Sequence, residues 1–421
     1  MAQTALPQLT TGSSVGRYLR SLDPGLPRPA WLLQFGSAVN TFGTGLVLPF
    51  LVIYLHNVRG FGFGMSGLVV ASFGAVSIVS TSIGGPLVDR LGGRLVCAVT
   101  LVLLAVGYGL FPLARSPWQA FALIGVAGLG NGAFWPGLTS LMVGHAPAGR
   151  SGTVFSVNRI AGNLGLGAGA AAGGLLAQTS HPGSFAVLFH LDAVSFLLFA
   201  GLLALLKPLP KREPTEAPPG RYADVLKDRP YMAVVLLNAV VVIGAFAQLE
   251  AGLPAFAKNH LGLGERTIGL LFFLNVAVVV VLQLPIVKLL NGRRRMRVLA
   301  LMGVGFAVAW LLVLAAGWWL HAAVVLLVLG VIVFSIAECV HSPALSGLVG
   351  DLAPAELRGR YFALSTNSYA LGFTLGPALA GVLLAVAPSS LWLCAIVVCG
   401  GATVAALLLE RRLPETARTA T

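Results

Sequence analysis

Three acids and one arginine could do chemistry here, because each lies in sequence that otherwise excludes charge: Asp192, Glu250, Glu338 and Arg159. An ionisable group placed among lipid tails is costly, and it is retained where it faces a cavity, a partner or an ion path. A carboxylate in such a place can load and release a proton. Glu338, past the middle of the apolar run 322–349, is the strongest candidate for that role. Arg159, about two turns into the run 151–177, is the available counter-charge. Glu250, toward the end of 231–257, could bind a cationic substrate or a proton, or simply reach water. Asp192, in 184–206 just after His190, could join the transport chemistry or make a structural hydrogen bond. Asn40 heads the neutral polar candidates, with Asn131, Asn163, Asn238 and Gln248; Phe42, Phe50, Phe134, Trp135 and Phe246 could line an apolar pocket or pack as core.

The elements that must carry these residues follow from composition. Of 421 residues, 57% are hydrophobic and only 10% charged, and mean hydropathy is +0.88. A soluble domain carries about 25% charged residues. Twelve apolar runs can be bracketed: 31–56, 65–88, 95–114, 117–143, 151–177, 184–206, 231–257, 267–287, 298–320, 322–349, 361–387 and 391–409. Each is long enough to cross a hydrocarbon core about 30 Å thick. The runs are continuous, not alternating, so they predict helices and not barrel strands. The fold class expected is therefore an all-α polytopic membrane protein of twelve transmembrane helices in two six-helix bundles.

Charge sets the expected orientation. The net charge is +13, but the basic residues are scattered through short loops and form no face for a nucleic acid. With the N-terminus inside, 22 of the 27 Lys and Arg fall on the inner side; Arg59, Arg115, Lys258 and Arg266 fall outside, and Arg159 lies within a span. Cytoplasmic loops carry such an excess, so both termini are expected in the cytoplasm. The four cysteines lie in or beside apolar runs without metal-ligand spacing, and no Walker loop is present for ATP. No enzyme chemistry, cofactor or metal is therefore expected; a proton gradient is the energy source left.

The longest internal break, 207–230, is rich in Pro, Lys, Arg and Glu. It divides the chain into a tail (1–30), a first bundle (31–206), this linker, a second bundle (231–409) and a tail (410–421). The halves repeat at an offset of 207 residues: Pro136 meets Pro343, Gly152 meets Gly359, and Gly165, Gly169 and Gly174 meet Gly372, Gly376 and Gly381. Two parallel repeats place a binding site near the midplane between them. Glycines at 162, 165, 167, 169, 173 and 174 stud the fifth run. They allow close packing within one half, or a smooth face on which the halves rock.

Between the second and third runs, residues 85–94 read Gly-Pro-Leu-Val-Asp-Arg-Leu-Gly-Gly-Arg, a short polar hinge. Topology explains Arg90 and Arg94 but not Asp89. This stretch resembles the signature loop of the major facilitator superfamily, Gly-x-Leu-x-Asp-Arg-x-Gly-Arg-Arg/Lys, with Gly93 where a basic residue is usual. The first span (Asn40 to Leu55), Asn158 to Gly165, and Glu338 followed by Pro343 are similar to the bacterial drug:proton antiporter branch. Two features depart from that branch: Val126 stands where many antiporters have an arginine, and Gly169-Ala170 replaces a Gly-Pro pair, which survives only as Gly376-Pro377.

The resemblance implies a secondary active transporter working by alternating access, with proton-coupled efflux of small amphipathic or cationic compounds as the preferred activity. It would act as a monomer in the inner or plasma membrane, with the lipid bilayer and a small-molecule substrate as its partners. A metabolite, sugar or lysolipid carrier is an alternative, and a non-transporting sensor or scaffold is one of another class. The resemblance also brings Arg159 and Glu338 together at a closed inner gate, as a charge pair or in one polar network; breaking a buried pair costs about 3–5 kcal/mol. Gly85, Asp89, Arg90, Gly92 and Arg94 then form a gating loop, with Asp89 meeting Arg358, Arg360 and the positive end of the eleventh helix.

Overall fold

The computed structural model describes residues 25–147, 150–207, 222–290, 292–354 and 357–413. Most of both tails and of the linker, and the side chain of Arg358, lie outside the described residues. Each apolar run becomes one helix: α1 Arg28–Val58, α2 Phe63–Leu91, α3 Gly93–Leu113, α4 Pro117–His145, α5 Ser151–Leu176, α6 Gly183–Ala204, α7 Arg229–Asn259, α8 Glu265–Leu290, α9 Arg295–Trp318, α10 Leu320–Leu352, α11 Arg358–Val386 and α12 Pro388–Glu410. Among the described residues, eleven are long and apolar enough to cross a membrane. The twelfth, α5, is as long but is diluted by Asn158, Arg159, Asn163 and its glycines.

Helix ends follow local chemistry. Asp228 Oδ1 accepts from the Tyr231 amide 3.1 Å away and caps α7, and Gln119 Oε1 does the same for the Ser116 amide at the start of α4, at 3.2 Å. The polar hinge is shorter than its composition suggests. Residues 85–91 are the last turns of α2, with Pro86 inside the helix. A membrane-spanning helix tolerates that proline when neighbours supply the lost bond. The chain turns only at Gly92, whose φ of 85° favours glycine.

The first six helices pack as one bundle and the last six as another. Across the bundles, α2 packs on α11 and α5 on α8. Both cross-bundle seams close on glycine. In one, Gly67 of α2 lies against the backbone of Pro377 and Gly381; in the other, Gly174 of α5 lies against Glu265 and Gly269 of α8. These are the same contact repeated by the internal symmetry. The α5 glycines thus divide their work: Gly165, Gly169 and Gly173 bring α1 close, while Gly167 and Gly174 bring α8 close.

These seams sit near the face opposite residues 85–94. That opposite face is shut. Asn57 at the end of α1 donates to Asn259 at the end of α7, at 2.6 Å. Glu265 accepts from Lys258 at 2.9 Å and from the Thr179 amide of the first bundle at 3.0 Å.

Candidate functional site

On the side of residues 85–94, the halves are joined by Arg159, whose Nη1 donates to Ser342 Oγ on α10 at 2.9 Å. Arg159 is otherwise exposed, although it lies within a membrane-length helix. Ser342 is one turn beyond Glu338. Glu338 is held differently: its Oε2 accepts from Asn275 Nδ2 of α8 at 2.8 Å, and the same amide reaches Ser335 Oγ at 3.0 Å. Of the charge pair or shared polar network expected of Arg159 and Glu338, no direct ion pair is found among the described residues: Arg159 of α5 meets α10 at Ser342, one turn beyond Glu338. No described residue bonds Glu338 Oε1, so one carboxylate oxygen stays available.

Glu250, half-buried on α7, is the other acid within a span of the second bundle. It stands on an unusual stretch of α7. Val242–Phe246 and Gln248–Gly252 are both π-helical turns, a distortion frequent at functional sites. Side chains compensate the disturbed ladder. Gln248 Nε2 donates to Ile243 O at 2.7 Å and to Gly376 O of α11 at 3.2 Å, and Trp310 Nε1 donates to Gly244 O at 2.9 Å.

The other candidates are not brought here. Asp192 is 1% exposed in the α1–α6 seam, where its Oδ1 has no partner and lies against Gly43. Asn40 is buried on the same face of α1 as Gly43, one turn away, also with an unpartnered Oδ1. Phe50 and Phe134 are core, whereas Phe42 and Trp135 are exposed. In the gating loop, Gly85 is part-buried and Asp89 and Arg90 are exposed. No hydrogen bond or ion pair of Asp89 is found among the described residues, so the expected contact with Arg360 is not made in this conformation. Arg94 is committed within the first bundle, donating to Leu206 O at 2.6 Å.

Asn275, Ser342 and Glu265 were not singled out in the sequence. Asn275 carried a usable signal: it is a lone amide in the apolar run Leu-Phe-Phe-Leu-Asn-Val-Ala-Val. Ser342 carried none, because a serine can hide in any membrane helix by bonding its own backbone.

A two-bundle helical membrane fold, sealed on one side and bridged by a charged side chain on the other, defines a membrane transporter. The chain belongs to the Major Facilitator Superfamily, whose sequence profile matches residues 33–265 and again 235–421. It is 25% identical over 369 residues to the MFS-type transporter YttB of Bacillus subtilis, covering 85% of this chain and 89% of that protein. It is 28% identical over 185 residues to the quinolone resistance protein NorA of Staphylococcus aureus, 44% of this chain and 46% of that one. Its fold matches the crystal structure of a D-xylose–proton symporter with a TM-score of 0.74, at 18% identity over 93% of this chain and 98% of that one.

Proposed function

We propose that the protein exports small amphipathic or cationic compounds against a proton gradient, by alternating access, as a monomer in the cell membrane with both termini in the cytoplasm. The observation that carries this reading is Glu338, a carboxylate with one oxygen held by Asn275 and the other available, one turn from the Arg159–Ser342 bridge. The likeness to a quinolone resistance protein and the inner-side excess of Lys and Arg support the direction and orientation.

In this scheme Glu338 takes up the proton and Glu250 is the second acid within that bundle's spans. Neutralising Glu338 weakens its bond to Asn275 and removes the negative charge that steadies Arg159. A hydrogen bond to a charged group contributes about 1.5–3 kcal/mol, enough to move a two-state equilibrium by about 10- to 100-fold. The structure then corresponds to the state closed outside, with Asp89 of the 85–94 stretch free to latch onto the second bundle when the inner side closes. Asp89→Asn should impair turnover while leaving substrate binding largely intact.

The test is efflux of a fluorescent organic cation from proteoliposomes with and without a pH gradient. Gradient-driven export by the wild type and none by Glu338→Gln supports the reading. Unchanged gradient-driven export by that variant removes Glu338 from the coupling role.

A further inference from the structure

One buried histidine has no part in that scheme. His341 lies on α10 three residues past Glu338 and is 3% exposed. Its Nε2 is 2.8 Å from Asn238 Oδ1 of α7, and its Nδ1 is 2.9 Å from the Tyr369 hydroxyl of α11. Asn238 Nδ2 is 2.6 Å from Ser368 Oγ, and the Ser368 hydroxyl donates to Ser365 O at 2.6 Å.

The direction of every bond in this chain follows from its far end. The Ser365 carbonyl can only accept, so the Ser368 proton points there and Ser368 Oγ accepts from Asn238. Asn238 therefore turns its NH2 toward Ser368 and its carbonyl oxygen toward His341. Nε2 must then carry the imidazole proton, and the Nδ1 lone pair receives the Tyr369 O–H. A neutral imidazole satisfies the whole chain. The consequence lies at Tyr369, a half-buried side chain of α11 whose hydroxyl meets α10 at His341, one turn beyond Glu338. With its proton committed to His341, the phenol offers any third group lone pairs only. Beside it, the Phe246 ring lies 4.9 Å from His341 and 6.4 Å from Tyr369, between centroids.

We propose that His341 is a positioning residue that makes Tyr369 an obligatory hydrogen-bond acceptor in the substrate site, so that the site selects organic cations bearing an N–H over fully alkylated ones. An aromatic face attracts both kinds of cation. Only the N–H kind can also donate to Tyr369. This rests on the reading of the protein as an exporter of organic cations.

The test measures binding of dansylcadaverine, a primary ammonium, and of its trimethylammonium analogue to the full-length protein in nanodiscs. The wild type should favour the primary ammonium by about 10-fold, the scale of one hydrogen bond to a charged group. Tyr369→Phe, which keeps the ring, should lower only the primary ammonium's affinity and erase the preference. His341→Asn should shrink the preference although Tyr369 is intact, because the phenol is then free to turn. A preference unchanged in Tyr369→Phe, or equal losses for both probes in either variant, overturns the proposal. If neither probe binds the wild type, the cation-export reading itself fails and the proposal falls with it.

Discussion

Helices α1 and α5 of the first bundle and α7 and α11 of the second are counterparts in the repeat, yet they are held together by different physics. The first pair is a glycine seam. Gly45, Gly165, Gly169 and Gly173 set backbone on backbone, with carbonyls of Ala38, Phe42, Leu46 and Leu166 at the contact. Its cross-helix polar link is Gln34 to the Val154 carbonyl at 3.3 Å. The second pair is stitched by side chains at successive levels. Tyr361 donates to Asp228 at 2.7 Å, Tyr231 donates to the Tyr361 carbonyl, Asn238 reaches Ser368, and Gln248 reaches Gly376. Close-packed backbones have one good arrangement; hydrogen-bonded side chains can exchange partners. On the proposed reading, the α1–α5 seam is scaffold, and α7, α10 and α11 carry the proton-responsive and substrate-reading side chains.

Three substitutions probe this contrast, in falling order of effect. Gly169→Ala places a methyl group on the Phe42 carbonyl. Overpacking of this kind costs about 1–3 kcal/mol, and a backbone neighbour puts this case at the upper end. It should appear as a clear drop in thermal stability in detergent, and an unshifted melting curve would remove the rigid seam from the account. Gln248→Leu strips the donor from Ile243 O and Gly376 O, for about 1–2 kcal/mol. Transport should fall more than stability, because the distorted turn carrying Glu250 loses its brace; equal falls would make the turn merely structural. Glu265→Gln removes the ion pair with Lys258 while an amide oxygen can still face Thr179. Lys258 keeps access to water at 19% side-chain exposure and the new amide oxygen can still accept from Thr179, so this effect is the smallest of the three. Cysteines introduced at Asn57 and Asn259 should crosslink more slowly in that variant, and unaltered crosslinking would mean Glu265 does not hold that side shut.

Much of this was legible before the structure. Twelve helices followed from apolar runs that only a helix can satisfy in lipid, and the glycine seams followed from the spacing in α5. The charge arrangement was legible only in part. Arg159 and Glu338 were identifiable as costly residues, but which turn of α10 faces Arg159 depends on the axial register of helices in different bundles. No local pattern encodes that register, and in this conformation Arg159 meets Ser342, one turn beyond Glu338. The hinge at 85–94 read too long because glycine and proline are helix breakers in water, whereas in α2 the helix runs through Pro86 to Leu91. The π-turns of α7 were invisible because their compensating donors come from Gln248 and, across the bundle, from Trp310. His341 was passed over because its role depends on partners 103 and 28 residues away.

The central claim is that the second bundle carries the coupling proton on Glu338. It is tested most directly by adding a transported organic cation to the purified protein in weakly buffered detergent and following pH. The account predicts proton release from the wild type and none from Glu338→Gln, with both proteins still binding the cation. Equal release from both would contradict it.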